Sequence, residues 1–180
     1  MKYFSKLDAS KGFWQIQLDE ESSHLCTFNT PIGRYSFTRL PFGICDASEI
    51  YQEMMERHFG DIANIIVDDL LISGVTREEH DRKLIEALNR ARAINLKFNV
   101  NKLEVSLSEL TYAGHVVTAD GLKADPEKVK AIHNMPDPEN KGQLKSFLGM
   151  CNYLTKFIPR LSQETAPMRV DEARCRIYMG

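Results

Sequence analysis

The sequence predicts an α+β domain, a sheet with helices packed on one face, and three observations lead there. Ile65-Ile66-Val67 and Leu70-Leu71-Ile72 are two apolar, β-branched-rich runs of strand length on either side of Asp68-Asp69. Helical spacing of apolar residues follows Asp46 and again follows Thr76. Short strand patterns lie before, between and after these helices, a mixed order that builds a sheet covered by helices rather than a bundle or a sandwich.

Each element has its own signal. Phe4-Ser5-Lys6-Leu7-Asp8 reads as a strand ending on an acid, broken by Ala9-Ser10-Lys11-Gly12. Trp14, Ile16 and Leu18 alternate with Gln15 and Gln17, which predicts a half-buried strand. Leu25–Asn29 and Arg34–Thr38 flank Thr30-Pro31-Ile32-Gly33, a hairpin signal. Leu40-Pro41-Phe42-Gly43 is a stiff loop. Asp46 is placed to cap a helix running to about His58, with Ile50, Met54 and Met55 inward, and Gly60 ends it. Asp is a turn residue, so the acidic pair is expected at a hairpin tip. Thr76-Arg77-Glu78-Glu79 has capping-box spacing and opens a helix to about Ile94, with Leu84, Ile85, Leu88 and Ala91 on its apolar face and Asn95 as a left-handed cap. Short strands are expected near 96–98, 103–105 and 112–117. Asp125-Pro126 starts a helix with proline at its first position. A last amphipathic helix carries Leu144, Phe147, Leu148, Cys151 and Leu154 and stops at Pro159.

Composition narrows the function. The apolar and charged fractions, 43% and 27%, are those of a globular protein, and no apolar run is long enough to cross a bilayer. The start, Met1-Lys2-Tyr3-Phe4-Ser5, lacks the apolar segment of a signal peptide. Cys26, Cys45, Cys151 and Cys175 are far apart, which argues against a zinc site or a disulfide scaffold and fits a reducing, intracellular setting. The net charge is −2, but residues 121–160 hold seven basic and four acidic side chains. That segment is either a phosphate-facing surface or an ordinary solvated helical face. A boundary is expected near residue 120, where the charge changes sign.

The acids carry the chemistry. Ionised carboxylates beside so much apolar surface are costly unless solvated or bound to a cation. With Asp8 at the end of a neighbouring strand, Asp8, Asp68 and Asp69 converge on one site. Oxygen-rich clusters suit Mg²⁺, and a pair of such ions serves phosphoryl transfer. The plainer alternative is a hairpin whose turn merely happens to be acidic. The pattern itself suggests a nucleotidyl-transferase palm without separating polymerases from nucleotide cyclases.

An ordered series of motifs resembles the reverse transcriptase of gypsy-type LTR retrotransposons, whose Pol polyprotein also carries ribonuclease H and integrase parts. Phe4-Ser5-Lys6-Leu7-Asp8-Ala9-Ser10-Lys11-Gly12-Phe13-Trp14-Gln15-Ile16 is similar to the first palm motif. Thr27–Tyr35 and then Leu40-Pro41-Phe42-Gly43-Ile44 resemble the second, and Val67-Asp68-Asp69 the double-acid motif. Leu96-Lys97-Phe98-Asn99 and Tyr112-Ala113-Gly114-His115-Val116-Val117 resemble the two that close the palm, and Phe147–Pro159 the start of the connection. The likeness runs from Tyr3 to Met168.

The resemblance implies a polymerase palm over 1–120, part of a helical thumb and the start of the connection over 121–168, and an unmatched tail over 169–180, of which Val170–Gly180 is expected to be loosely packed. It implies RNA-directed DNA polymerase chemistry: a primer 3′-hydroxyl attacking a dNTP on an RNA or DNA template, with two Mg²⁺ ions, or Mn²⁺ in their place. Asp8, Asp68 and Asp69 would be catalytic and metal-binding, with Asp8 and Asp68 close enough to share a cation. Phe13 would exclude a 2′-hydroxyl, or be an ordinary core aromatic. Phe42 and Gly43 would hold nucleotide and template, Lys102 could protonate departing pyrophosphate, and Gly114 with His115 would grip the primer end. The basic 121–160 stretch would touch template–primer phosphates.

Departures are expected to matter. Ile66 stands where the family has Tyr, and Ser48 where it has Pro, a change expected to loosen the helix start. The fingers that precede the first motif in the family are not in this sequence, nor is a ribonuclease H acid cluster. The 180 residues alone are therefore expected to be an inactive piece of the polymerase. The alternative is a non-catalytic, domesticated module that binds nucleic acid or protein.

Overall fold

The computed structural model describes residues 1–168. The expectations placed on Val170–Gly180 and on the 169–180 tail lie outside the described residues. The described residues form two compact units, Met1–Ala113 with Val117–Gly121, and Gly114–Val116 with residues 122–168.

The first unit is built on four antiparallel strands: Tyr3–Asp8 (β1), Asn64–Ile66 (β4), Asp69–Gly74 (β5) and Glu104–Leu107 (β6), in the order β4-β5-β1-β6. Side chains alternate across such a sheet. Ser5, Leu7, Leu70 and Ile72 therefore share the face covered by helices Ala47–Phe59 (α2) and Arg77–Ala93 (α3). Leu7, Leu70 and Ile72 pack there with Tyr51, Met55 and Phe59 of α2 and Ala87 and Ala91 of α3. Phe4 and Leu71 point to the opposite face and pack with Leu110 and Tyr112 of Glu109–Tyr112 (β7). Lys6, Asp8 and Asp69 continue that second face toward the end of β1. Two layers on one sheet thus leave a charged strip where the second layer ends.

A buried polar chain staples the first layer. His80, fully buried on α3, bonds Ser5 Oγ through Nε2 (2.8 Å) and Asp81 Oδ1 through Nδ1 (2.8 Å). Ser5 Oγ also accepts the Ser106 N–H (2.9 Å) at a bulge in β6 where Ser106 has φ 55°. With Nδ1 protonated toward Asp81, every donor meets an acceptor. Ser5 and His80 are both inaccessible, so this Ser-His-Asp series is structural and not a hydrolytic triad.

Several expectations need correcting. No strand forms over Trp14–Leu18: Lys11 turns left-handed (φ 53°) and Gly12–Gln15 is a 3-10 turn, with one bridge from Gln17 to Arg39. Trp14 and Ile16 belong to that turn and its exit, which carry Phe13 onto α2. A short helix, Glu20–Leu25 (α1), forms where none was expected; Asp19 caps it by accepting the Ser22 N–H. The hairpin Thr27–Thr30 (β2) and Gly33–Ser36 (β3) forms as expected.

In α2 the buried stripe is Ala47, Tyr51, Met55 and Phe59, whereas Ile50 is exposed. Asp46 holds the cap position without a side-chain cap bond. In α3 the inward residues are His80, Ala87 and Ala91, and Ile85 and Leu88 are exposed. Ala87 is buried where the apolar spacing placed Leu88, Leu84 packs against the core as expected, and His80 begins the inward stripe one turn earlier. Thr76 caps α3 as its spacing predicts, accepting the Glu79 N–H (3.2 Å), but Glu79 reaches back to the Val75 N–H instead of to Thr76. Asn95 does adopt φ 58°. Near 96–98 only Phe98 bridges, to Ala9.

The strand His115–Thr118 (β8) sits between β7 and Gly121–Ala124 (β9). In the second unit Asp125 caps Pro126–His133 (α4), and Lys141–Tyr153 (α5) and Leu161–Glu164 (α6) follow. Leu148, Cys151 and Leu154 are its buried residues on or just after α5. Leu144 and Phe147 are half-buried, and α5 ends at Tyr153, before Pro159.

Candidate active site

Strand register places the acids. Asp8, the last residue of β1, lies directly opposite Asp69, the first of β5. Ile66 pairs with Asp69, so Val67-Asp68 is a two-residue turn and Asp68 stands at its tip. The Asp68 carbonyl accepts the Ala9 N–H (2.8 Å), which ties the turn to the end of β1.

The turn is strained. Val67 has φ 50°, a left-handed conformation that costs a β-branched residue on the order of 1–3 kcal/mol. Gln52 of α2 holds it: its Oε1 accepts the Val67 N–H (2.7 Å) and its Nε2 donates to the Ile65 carbonyl (3.1 Å). No sequence signal marked Gln52, because a half-buried glutamine on a helix looks like any surface residue.

The carboxylates have different surroundings. Lys102 Nζ lies 2.9 Å from Asp8 Oδ2. This pairing raises the Lys102 ammonium above its ordinary range. Asp68 Oδ1 is buried, faces Gly12 and the Tyr51 hydroxyl, and has no hydrogen-bond partner; the Tyr51 hydroxyl lacks one too. The two groups are near enough to influence each other but not aligned as a bond. Burial raises the Asp68 carboxyl above the usual aspartate range, and the charges of Asp8 and Asp69 add to this. Burial likewise raises Asp69, with Lys6 opposing. Lys6 itself pairs with Glu104 and donates to the Thr111 carbonyl (3.1 Å). The Tyr112 hydroxyl donates to the Asn64 carbonyl (2.9 Å), and burial pushes its pKa up to about 12. An open cleft of about 400 Å³ is lined by Lys6, Asp8, Asp69, Asn101, Lys102 and Glu104.

Among the described residues, no three His, Cys, Asp or Glu side chains are grouped as a metal site. Like charges repel, Lys102 neutralises Asp8, and Asp68 turns one oxygen toward Gly12. Even so, the donor set suits a hard divalent cation: three carboxylates, two of them with raised pKa values, and one buried oxygen with no partner.

The other predicted residues fall in three places. Phe13 sets its ring edge-on to Tyr51 (5.4 Å between centroids) and to Phe42 (5.2 Å). Phe42 is exposed, next to Gly43 at φ 91°, and lines an aromatic cleft with Trp14, Phe28 and Phe37. Lys102 is at the acids. Gly114 and His115 belong to the second unit. Ile66, where the family has Tyr, is half-exposed beside the turn.

A two-acid strand register with a third acid at a strained turn, on a helix-backed antiparallel sheet, is the architecture of a nucleotidyl-transfer palm. Residues 1–150 match the family model described as reverse transcriptase (RNA-dependent DNA polymerase), and the chain belongs to that family. It is 37% identical over 171 residues to the retrovirus-related Pol polyprotein from transposon opus of Drosophila melanogaster, covering 93% of this chain and 17% of that protein. It is 33% identical to the Pol polyprotein from transposon gypsy of the same organism, of which it spans 16%. It is also 30% identical to the enzymatic polyprotein of cauliflower mosaic virus (strain D/H), of which it spans 26%. Among solved structures, the foamy viral protease-reverse transcriptase dRH in complex with double-stranded DNA superposes with a TM-score of 0.86 at 25% identity, over 94% of this chain and 30% of that one. The foamy viral protease-reverse transcriptase in complex with an RNA/DNA hybrid gives 0.83 at 25% identity, over 94% and 23%.

Proposed function

We propose that this chain carries the nucleotidyl-transfer site of an RNA-directed DNA polymerase, which joins a dNTP to a primer 3′-hydroxyl on an RNA or DNA template. The observation that carries the reading is the register of Asp8 against Asp69 with Asp68 on the adjoining turn. Asp8 and Asp68 are the main metal-holding residues, with Asp69 beside them. Divalent ions bound there, Mg²⁺ or Mn²⁺, would supply charge stabilisation to the attacking and leaving oxygens.

The chain's own side chains do the rest. Phe13, wedged between Tyr51 and Phe42, has little freedom to move aside, so a sugar placed against it meets a fixed wall where a 2′-hydroxyl would project. Lys102 holds a proton firmly while paired with Asp8. With Asp8 engaged in holding a divalent ion, Lys102, on the wall of the same cleft, would be free to face departing pyrophosphate. Phe42 and Gly43 border the nucleotide and template, and Gly114 with His115 hold the primer end. Foamy viral relatives bound to double-stranded DNA and to an RNA/DNA hybrid support a template–primer as partner.

Tested as 180 residues alone, the chain is expected not to extend a primer at a useful rate, because no residue here matches the side chains that clamp the triphosphate in this family. Positioning supplies on the order of 7–11 kcal/mol in well-oriented reactions. The test is primer extension on an RNA template with Mg²⁺, by the chain alone and joined to an upstream fingers segment, each against Asp68→Asn/Asp69→Asn. Synthesis that appears only in the joined protein and is lost in the double variant supports the reading. Equal activity with and without the two acids overturns it.

A further inference from the structure

The turn Ala113-Gly114 between β7 and β8 has positive φ at both residues, 49° and 78°, the pattern of a tight hairpin turn. Its Gly114 carbonyl accepts a hydrogen bond from the Tyr153 hydroxyl at the end of α5 (3.0 Å). The same hydroxyl accepts from Lys128 Nζ of α4 (2.9 Å), and that ammonium also lies 4.1 Å from the Tyr153 ring centroid. An ammonium can only donate, so it occupies an oxygen lone pair and leaves the hydroxyl proton for Gly114. The next residue, His115, stacks its imidazole on the Tyr153 ring (5.6 Å between centroids, 25°) and meets Phe157 edge-on (5.3 Å). A methyl group at position 114 would lie 1.8 Å from the Tyr153 hydroxyl and 2.8 Å from Lys128 Nζ, so the backbone there is pressed against the latch.

We infer that Tyr153 is a positioning residue for primer binding: its hydroxyl, oriented by Lys128, and its ring fix the Gly114-His115 turn to the α4–α5 pair. The inference rests on the proposed primer-holding role of that turn. The basic helices that would ride on template–primer phosphates then carry the primer-holding backbone with them as one piece. Phenylalanine at 153 would keep the ring and the His115 stack and lose only the hydroxyl link. Its effect therefore falls on where the turn sits and not on whether the helices pack.

The test compares the 180-residue chain with Tyr153→Phe and Lys128→Met. The probes are a recessed-3′-end template–primer and a blunt duplex with the same number of phosphates. Wild type is expected to prefer the recessed end. Tyr153→Phe should reduce that preference by about three- to tenfold, the worth of one hydrogen bond, with blunt-duplex affinity within about twofold. Lys128→Met should act in the same direction and, by removing a phosphate-facing charge, also weaken both probes. Amide exchange should speed up at Gly114–Val116 in Tyr153→Phe and stay unchanged along α5. A wild-type chain that binds both probes equally removes the primer-holding role, and the inference with it. A wild type that discriminates beside a Tyr153→Phe that discriminates equally overturns the inference alone. Loss of the folded state in Tyr153→Phe, seen by circular dichroism, would make the hydroxyl a structural group and overturn it too.

Discussion

Gly12 is the position where a single methyl group should disturb both the fold and the acids. Its missing side chain is what lets the 3-10 turn after β1 pass over Asp68. A Cβ at this position would lie 2.2 Å from Asp68 Oδ1 and 2.6 Å from both Cζ and the hydroxyl of Tyr51, where ordinary contacts begin near 3.4 Å. Tyr51 is fully buried and backed by Phe13, so it cannot swing out. Asp68, at the tip of a turn, can. Overpacking of this kind costs about 1–3 kcal/mol, against a gain of about 0.5–1 kcal/mol from stiffening a glycine. At about 2–4 °C per kcal/mol for a chain of this size, Gly12→Ala should melt up to about 10 °C below wild type.

The second consequence separates this site from any crowded glycine. If Asp68 helps hold divalent cations, Mg²⁺ at ten times its dissociation constant stabilises the wild type by about 1.4 kcal/mol, a rise of about 3–6 °C. Gly12→Ala, which must displace the Asp68 carboxylate, should lose most of that rise. The assay is a thermal melt of both proteins over a Mg²⁺ series, with Ca²⁺ and matched ionic strength as controls. A Gly12→Ala protein that melts above the wild type, or a Mg²⁺-dependent rise equal to that of the wild type, would refute the contact argument.

Other substitutions test separate parts of the reasoning. Gly149→Ala on α5 meets no atom within 4 Å, so the same change should stabilise by about 0.5–1 kcal/mol, read as a higher melting temperature. Gln52→Ala removes both bonds that hold the strained turn, leaves the Val67 N–H without its partner, and should cost about 1–3 kcal/mol in urea unfolding while weakening Mg²⁺-dependent stabilisation. Asp68 and Asp69 have raised pKa values in the folded chain. The fold therefore binds protons that the unfolded chain releases, and their contribution is present at low pH and lost as pH rises through the raised values. Asp68→Asn should accordingly melt higher than wild type at pH 7 in chelator, with the gap closing below the ordinary aspartate range. A gap that widens on acidification would reverse the sign.

How much of this could be read beforehand depends on the kind of interaction. Period-2 and helical patterns, the Thr76 and Asp125 caps and the Asn95 stop are local, and the strand over β1, the β2–β3 hairpin and helices α2 to α5 follow from them. The convergence of Asp8 on the acidic turn was legible because both lie at strand ends, and antiparallel pairing then leaves few registers. What escaped was set by tertiary contact. The Trp14–Leu18 alternation is a sound strand pattern, yet Gly12 must pass closely over Asp68 and Tyr51, and the left-handed Lys11 coils the chain there instead. Apolar counting put Ile50 and Leu88 inward, whereas the helices present Tyr51 and His80, whose polar atoms face the acids and Ser5. Gln52 and Tyr153 were invisible for the same reason: each acts by bonding a backbone group of a turn far away in sequence, which no spacing encodes. The residues that bear the chemistry could thus be named from the chain, while those that hold them in place needed the fold. Substitutions at Gly12, Gln52 and Tyr153 therefore test the structural argument in a way that replacing the acids cannot.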